Sequence, residues 1–285
     1  MKTIHIAVLL TCHNRKEKTL ACLTSLYFAI NQVNEEYNFT IYLVDDGSTD
    51  GTAEAVLNQY PTVKVIEGNG NLFWAGGMRL AWSTALAEQN YDAYLLLNDD
   101  VVLVQSFICE ILKTHEHSLA QTGESGIYCG TTIDKATGLT SYGGLKIVKN
   151  DFVLRTTLIN TVENPQVFHM ANANVLWICN MVVDRIGLLD EKYTHSLADF
   201  DYTLTAFEHK IPLWVVPGVS GFCSRDHGNS WRPSTTSLKD RIAYLKSPKG
   251  LAYHEYLYYV RKHFPLFYPY SYIMLWVKTF FPFIW

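Results

Sequence analysis

Charge is scarce in this chain. Lys, Arg, Asp and Glu supply 18% of its 285 residues, against about a quarter in an ordinary soluble domain. The net charge of −4 provides no basic face, which argues against a nucleic-acid partner. None of the six cysteines (Cys12, Cys22, Cys109, Cys129, Cys179, Cys223) forms a C-x-x-C pair. Most sit in apolar surroundings and read as reduced core residues of a cytoplasmic protein. No internal repeat or low-complexity segment is evident, which argues against a solenoid. Long apolar runs are also missing. The start, MKTIHIAVLLTCHNRKEK, has a very short apolar stretch and no small-residue cleavage site. It reads as a buried strand followed by a basic polar run, not as a leader.

What is present is apolar and aromatic. Hydrophobic residues make up 48% and aromatics 14%, enough for one large domain or one domain plus an appendage. Ile4–Leu10 reads as a buried strand and Lys16–Ile30 as a helix. Strands over Phe39–Val44, Val63–Ile66 and Tyr91–Leu97 alternate with helices over Thr52–Gln59 and Ala75–Gln89. Such alternation predicts βαβ units and a parallel sheet. After Asp100 the pattern changes. Short segments at Gly126–Gly130, Ser141–Val148 and Phe152–Thr157, broken by turn signals, predict a mixed sheet with hairpins. Asn180–Ile186 and Asp199–His209 read as helical, the latter with Leu204 and Phe207 inward. Ile211–Val216 reads as a strand, and Leu238–Leu245 and Gly250–His263 as helices. An aromatic, proline-broken tail follows.

Two acidic loops stand at the ends of apolar runs. VDDGSTDGT spans Val44–Thr52, and LLLNDD spans Leu95–Asp100. Open α/β sheets bind ligands outside the carboxyl ends of their strands. Between the two lies GNGNLFWAGGMRLAW, whose Gly76 and Gly77 lead into a helix. Backbone N–H groups at such a helix start suit an anion, and Arg79 stands close enough in sequence to reach a diphosphate. Together these features predict a site for a nucleotide and its metal. For Trp74, stacking on a sugar or base and plain core packing are both open.

The TCHNR end of the first strand, VDDGSTDGT and LLLNDD occur in an order that resembles the family-2 glycosyltransferases of GT-A fold, over roughly residues 4–225. The resemblance implies an α/β, Rossmann-like, mostly parallel sheet flanked by helices, with residues 1–233 as the transferase domain. Within it, residues 1–100 would form the nucleotide-binding half and 101–233 the acceptor half. Residues 234–285 would form a helical extension. Thr11, His13, Asn14 and Arg15 would surround the base, with Asp46 on a pyrimidine ring and Asp45 supporting it. LLLNDD is similar to the family's D-x-D metal motif with Asn98 in place of the first Asp. Asn98 and Asp99 would face the donor, and Asp100 would hold Mn²⁺ or Mg²⁺. A divalent cation stabilises charge on a departing diphosphate.

HSLADFDYTLTA carries Ala198 where the family has Glu, and Asp199 aligns with the family's catalytic base. Asp201 and His195 are acceptor-side candidates. Asp201 alternatively caps or orients its helix, and His195 is alternatively a surface residue. Tyr142, Gly143 and Gly144 would shape the acceptor pocket. ANANVLWI, Ala171–Ile178, resembles the strand before the acceptor helix. In GVSGFCSRDHGNSWRP, His227 would be a further metal ligand, and Arg225 and Arg232 would hold diphosphate. The WAGG and LLLNDD features are most similar to rhamnosyl- and related transferases, which implies a UDP- or dTDP-sugar donor. An inverting transfer to a glycan or lipid-linked hydroxyl, in surface polysaccharide assembly, follows from the resemblance. Two other classes compete. A degenerate, non-catalytic binding or scaffold subunit would fit Asn98 and Ala198. A sugar-1-phosphate nucleotidyltransferase would need a glycine- and arginine-rich loop that TCHNRKEK lacks.

The tail from Phe264 to Trp285 is interrupted by Pro265, Pro269 and Pro282. The stretch between Pro269 and Pro282 falls short of the ~20 residues of a spanning helix. Its aromatics, flanked by Lys246, Lys249, Arg261 and Lys262, suit peripheral contact with the inner face of the cytoplasmic membrane. Folding back on the core, or a homodimer contact, is the alternative.

Overall fold

The structure is a computed structural model that describes residues 3–150, 153–225 and 236–284. Its first half alternates as expected: β1 (Ile4–Cys12), α1 (Lys16–Ile30), β2 (Tyr37–Asp45), α2 (Thr52–Gln59), β3 (Lys64–Glu67), α3 (Phe73–Glu88) and β4 (Ala93–Leu97). The second half is mixed: β5 (Val102–Leu103), α4 (Phe107–Thr122), β6 (Ile127–Cys129), β7 (Thr132–Ile133), β8 (Thr140–Tyr142), β9 (Gly144–Asn150) and β10 (Val153–Leu158). There follow β11 (Gln166–Val167), β12 (Met170–Ala171), β13 (Val175–Cys179), α5 (Asn180–Ile186), α6 (Ala198–Glu208), β14 (Leu213–Val215) and β15 (Gly221–Phe222). Helices α7 (Leu238–Lys246), α8 (Tyr253–His263) and α9 (Tyr268–Phe280) form the extension.

The main sheet has the order β11-β14-β6-β13-β4-β1-β2-β3. β1 lies parallel between β2 and β4, while β13 runs against both of its neighbours. The chain therefore leaves β1 towards β2 and β3 on one side and returns at β4 on the other. This reversal opens a crevice at the carboxyl ends of β1 and β4, where α/β sheets bind ligands. β1 and β4 are apolar on both faces because helices cover both. Leu9 and Leu96 join one apolar cluster, and Leu10 and Leu97 the other.

Three readings from sequence need correction. Helix α4 was not expected: its buried face runs Phe107, Ile108, Ile111, Thr114 and Ser118, so small polar residues dilute the apolar period. The tail is helical over α9. Pro269 stands in the first turn of that helix, where its missing N–H costs nothing, so it starts the helix instead of breaking it. In α6, Leu204 is buried as expected, but Phe207 is exposed and its ring packs on His169, 4.5 Å between centroids. All six cysteines are free thiols, and five are buried.

Candidate active site

A cavity of about 450 Å³ opens at the crevice, lined by Thr11, His13, Arg15, Asp46, Trp74, Asn98, Asp99, Asp100, Tyr142, His195 and Asp199 among others. These residues come from sequence positions almost 190 apart and meet because strand ends converge. Asp46 follows β2, and its backbone N–H bonds the Cys12 carbonyl at the end of β1. Its carboxylate accepts from the N–H groups of Gly70 (2.8 Å), Leu72 (2.9 Å) and Phe73 (2.9 Å). Asp46 thus fixes the glycine loop as well as facing the cavity. Gly68 permits this approach, since a Cβ there would lie 2.7 Å from an Asp46 carboxylate oxygen. Asp45 does not line the cavity: its Oδ1 accepts from Ser48 N–H at 2.9 Å and shapes the turn.

Asn14 also serves the turn. It sits at φ 51°, with its N–H on Ser48 Oγ and its Oδ1 accepting from Thr49 N–H. His13 does face the cavity, held by a 2.7 Å bond between Nδ1 and the Asp46 carbonyl.

At the end of β4, Asn98 Oδ1 accepts the Trp74 indole N–H at 2.7 Å. Trp74 is therefore a cavity wall locked by a polar bond, not simple core packing. Asp99 is buried and accepts from Thr19 Oγ1 at 3.2 Å and Arg15 Nη1 at 3.3 Å. Burial pushes its pKa up to about 6, against the lowering pull of Arg15. Arg15 reaches on to Asp100 Oδ2 at 2.8 Å, and Lys18 Nζ lies 4.0 Å from the same oxygen.

Carboxylate oxygens are hard donors that suit Mg²⁺ and Mn²⁺. Asp100 meets that requirement and opens on the cavity. Asn98 brings no charge, and its oxygen is already engaged. Among the described residues, no three His, Cys, Asp or Glu side chains gather into a complete cage. One carboxylate completed by diphosphate oxygens and water is a common Mg²⁺ arrangement, and the residues fit that pattern. His227 and Arg232 lie outside the described residues.

Opposite stands α6. Leu197 precedes it at φ 70°, a backbone region costly for a bulky side chain. That turn brings Asp199 to the cavity in the first helical turn. Asp199 Oδ2 accepts from Ala173 N–H at 3.1 Å, and Oδ1 from Phe200 N–H at 2.9 Å. Burial outweighs these bonds and pushes its carboxyl up to about 6. Asn172 and Asn174, from the ANAN segment, line the wall beside it.

Several candidates stand elsewhere. Gly76 and Gly77 do not cradle the cavity, because α3 starts at Phe73, earlier than Ala75, and places both glycines inside the helix. A Cβ at Gly77 would sit 2.8 Å from Thr11 Cβ, so this glycine packs α3 onto β1. Arg79 turns away from the cavity and donates to the carbonyls of Asp190 (3.1 Å) and Tyr193 (2.8 Å). Arg225 likewise donates to the Ser141 carbonyl at 3.0 Å. Gly143 sits behind the wall, with its carbonyl accepting from Asn172 N–H. Asp201 is buried under α8, bonded to Tyr193, Lys262 and His263. Cavity residues that sequence reasoning gave no place in the site include Phe73, Ser196, Leu197, Phe200, Cys223 and Lys249, the last from the loop between α7 and α8.

The family model described as glycosyl transferase family 2 matches residues 7–175, more than half of the chain. The chain belongs to glycosyl transferase family 2. No curated protein matches the sequence. Among solved structures, it is similar to the mannosyltransferase PcManGT from Pyrobaculum calidifontis, in complex with GDP-Man and Mn²⁺. That match has a TM-score of 0.55 and 13% identity, covering 98% of this chain and 70% of the other. A second similar structure is S. aureus TarS 1-349, at TM-score 0.50 and 16% identity, covering 79% of this chain and 60% of that one. At such identities the likeness concerns the fold. The protein is thus a GT-A glycosyltransferase with a central, mostly parallel sheet and a helical, aromatic C-terminus.

Proposed function

We propose that this glycosyltransferase is metal-dependent and inverting, and moves a hexose or deoxyhexose from a UDP- or dTDP-sugar to a glycan or lipid-linked hydroxyl. Surface polysaccharide assembly is the process this reading favours. The observation that carries it is that one cavity is lined by two carboxylates from separate elements: Asp100 after β4 and Asp199 at the start of α6. An inverting displacement needs a base on the face of the anomeric carbon away from the leaving group. Asp199 is already oriented by two backbone N–H groups and keeps lone pairs for an acceptor hydroxyl. As that oxygen bonds to the anomeric carbon, its proton passes to Asp199. The bond to the diphosphate breaks, and its electron pair leaves with the nucleotide. Asp100 would hold Mn²⁺ or Mg²⁺, which supplies charge neutralisation for the leaving diphosphate. Arg15, which follows the neighbouring strand β1, adds positive charge beside it. Residues 1–100 then act as the nucleotide half and 101–233 as the acceptor half, with α7, α8 and α9 as the extension.

Calorimetry of the full chain with UDP-, dTDP- and GDP-sugars, with and without Mn²⁺, tests the reading. Metal-strengthened binding of a UDP- or dTDP-sugar is expected. Binding of none of these donors by well-folded protein would overturn it.

A further inference from the structure

Lys249 belongs to the extension yet lines the cavity of the transferase domain. Its loop is built, not loose. Ser247, Gly250, Leu251 and Ala252 donate backbone bonds to the carbonyls of Ala243, Ser247, Tyr244 and Ser247 in turn. Ser196 Oγ, on the wall that leads to Asp199, donates to the Pro248 carbonyl at 3.3 Å. A lysine on a loop is ordinarily just solvated. Two observations set this one apart. First, Lys249 Nζ lies 5.7 Å from the centroid of Phe73, within cation–π range. Phe73 itself is at φ 53°, an outlier for a bulky residue, imposed where its N–H bonds Asp46. Strain held in place at a cavity wall points to use. Second, the carboxylates of the cavity are already engaged: Asp46 by loop N–H groups, Asp99 and Asp100 by Arg15, Asp199 by Ala173 and Phe200. Among the described residues, Lys249 forms no ion pair.

We propose that Lys249 and Phe73 form an anion subsite on the base-bearing wall, which receives a phosphate or carboxylate of the acceptor. Lys249 supplies the charge, and the Phe73 ring holds the ammonium in place and excludes water from one side. The subsite rests on the reading of Asp199 as the base, because it shares the wall of Ser196 and Leu197. An acceptor with a charged group close to its reacting hydroxyl is the substrate class implied. A phosphate on a lipid carrier and a carboxylate on an acidic sugar share this chemistry.

The test uses the full chain and its Lys249→Met and Lys249→Arg variants. UDP and dTDP are titrated first; methyl phosphate and glucuronate are then titrated into the free and the nucleotide-loaded protein. Nucleotide fills the diphosphate end, so anions added afterwards report on the second subsite. Lys249→Met is expected to keep nucleotide affinity and to lose about tenfold in anion affinity, as for one charged hydrogen bond. Lys249→Arg should restore most of it. A preference for methyl phosphate assigns a phosphorylated acceptor, and a preference for glucuronate an acidic sugar. Loss of nucleotide affinity with anion affinity intact would reassign Lys249 to the donor and overturn the proposal. Anion binding that is absent from the unmodified chain, or equal in all three proteins, would overturn it too. Failure of nucleotide binding alone would strike the donor reading and leave the free-protein anion titration decisive.

Discussion

Lys262 Nζ lies 2.8 Å from Asp201 Oδ2, and this contact fastens α8 of the extension to α6. The other carboxylate oxygen meets His263 Nε2 at 2.8 Å and the Tyr193 hydroxyl at 2.9 Å. Burial pushes the Asp201 carboxyl up, but the bonds from His263 and Lys262 outweigh it and hold the carboxyl below its usual range. Asp201 stands two residues after Asp199, so the extension braces the helix turn that carries the proposed base. Asp201→Ala leaves buried donors without their acceptor and should cost about 3–5 kcal/mol of stability. Because the folded pKa is depressed, this contribution is full above the ordinary value near 3.8 and is lost as pH falls through the folded one. Urea denaturation of both proteins at neutral and acid pH checks this. A variant as stable as the parent at neutral pH would remove Asp201 from its bracing role.

The raised Asp199 carboxyl sets a pH signature. A base must be ionised, so kcat/KM should climb with pH through about 6 and level off above it. Stability moves the other way. A carboxyl raised on folding favours the protonated fold, so its contribution is present below the unfolded value of 3.8 and declines as pH rises through about 6. Asp199→Asn should lose transfer by roughly 10²–10⁴-fold, keep nucleotide-sugar affinity and melt no lower than the parent at neutral pH. Transfer near the parental rate in that variant would take the base role from Asp199.

The two predictions differ in how far sequence alone could reach them. Asp199 was legible, because a motif fixes it on an element end and a strand-end site follows from the alternation of β1 to β4. Asp46, Asp99 and Asp100 were legible for the same reason. For Asp201 the helix-orienting alternative was legible but its partners were not: Lys262 and His263 lie some sixty residues on, in a segment that reads as an appendage. Arg79 and Gly77 were misplaced because α3 starts two residues earlier than its periodicity suggests. The earlier start sets both deeper in the helix, beyond the free N–H groups of its first turn. Lys249 carried no local signal, since only tertiary packing of the extension brings its loop to the cavity.

Asp100 makes the metal reading testable. Arg15 and Lys18 hold its charge at 2.8 and 4.0 Å, so a cation at this carboxylate has to displace or share them. Chelation is expected to silence transfer, with Mn²⁺ or Mg²⁺ restoring it. Asp100→Ala should reduce turnover by about a hundredfold or more. Asn98→Asp, which adds the carboxylate of the D-x-D pattern and leaves an oxygen to accept the Trp74 indole N–H, should lower the Mn²⁺ concentration needed for half-activation. Undiminished turnover after exhaustive chelation would sink the metal assignment.

The extension also presents an apolar face. Leu266, Ile273 and Phe283 are 92%, 58% and 77% exposed, alongside Tyr270 and Phe280. No Asp or Glu follows Glu255, whereas Arg261 and Lys278 do. Among the described residues no helix is long and apolar enough to cross a membrane. An aromatic helix face with cations and no acids suits the surface of an anionic bilayer. Three or four inserted side chains at roughly 1.5–3 kcal/mol each would give reversible attachment. The full chain should therefore float with phosphatidylserine-rich vesicles at low salt and less so at high salt. Leu266→Glu with Ile273→Glu should abolish flotation and leave nucleotide affinity intact. If the unmodified chain stays in solution with anionic vesicles and instead sediments as a dimer that the same double variant dissociates, the face is a protein contact and the membrane reading fails.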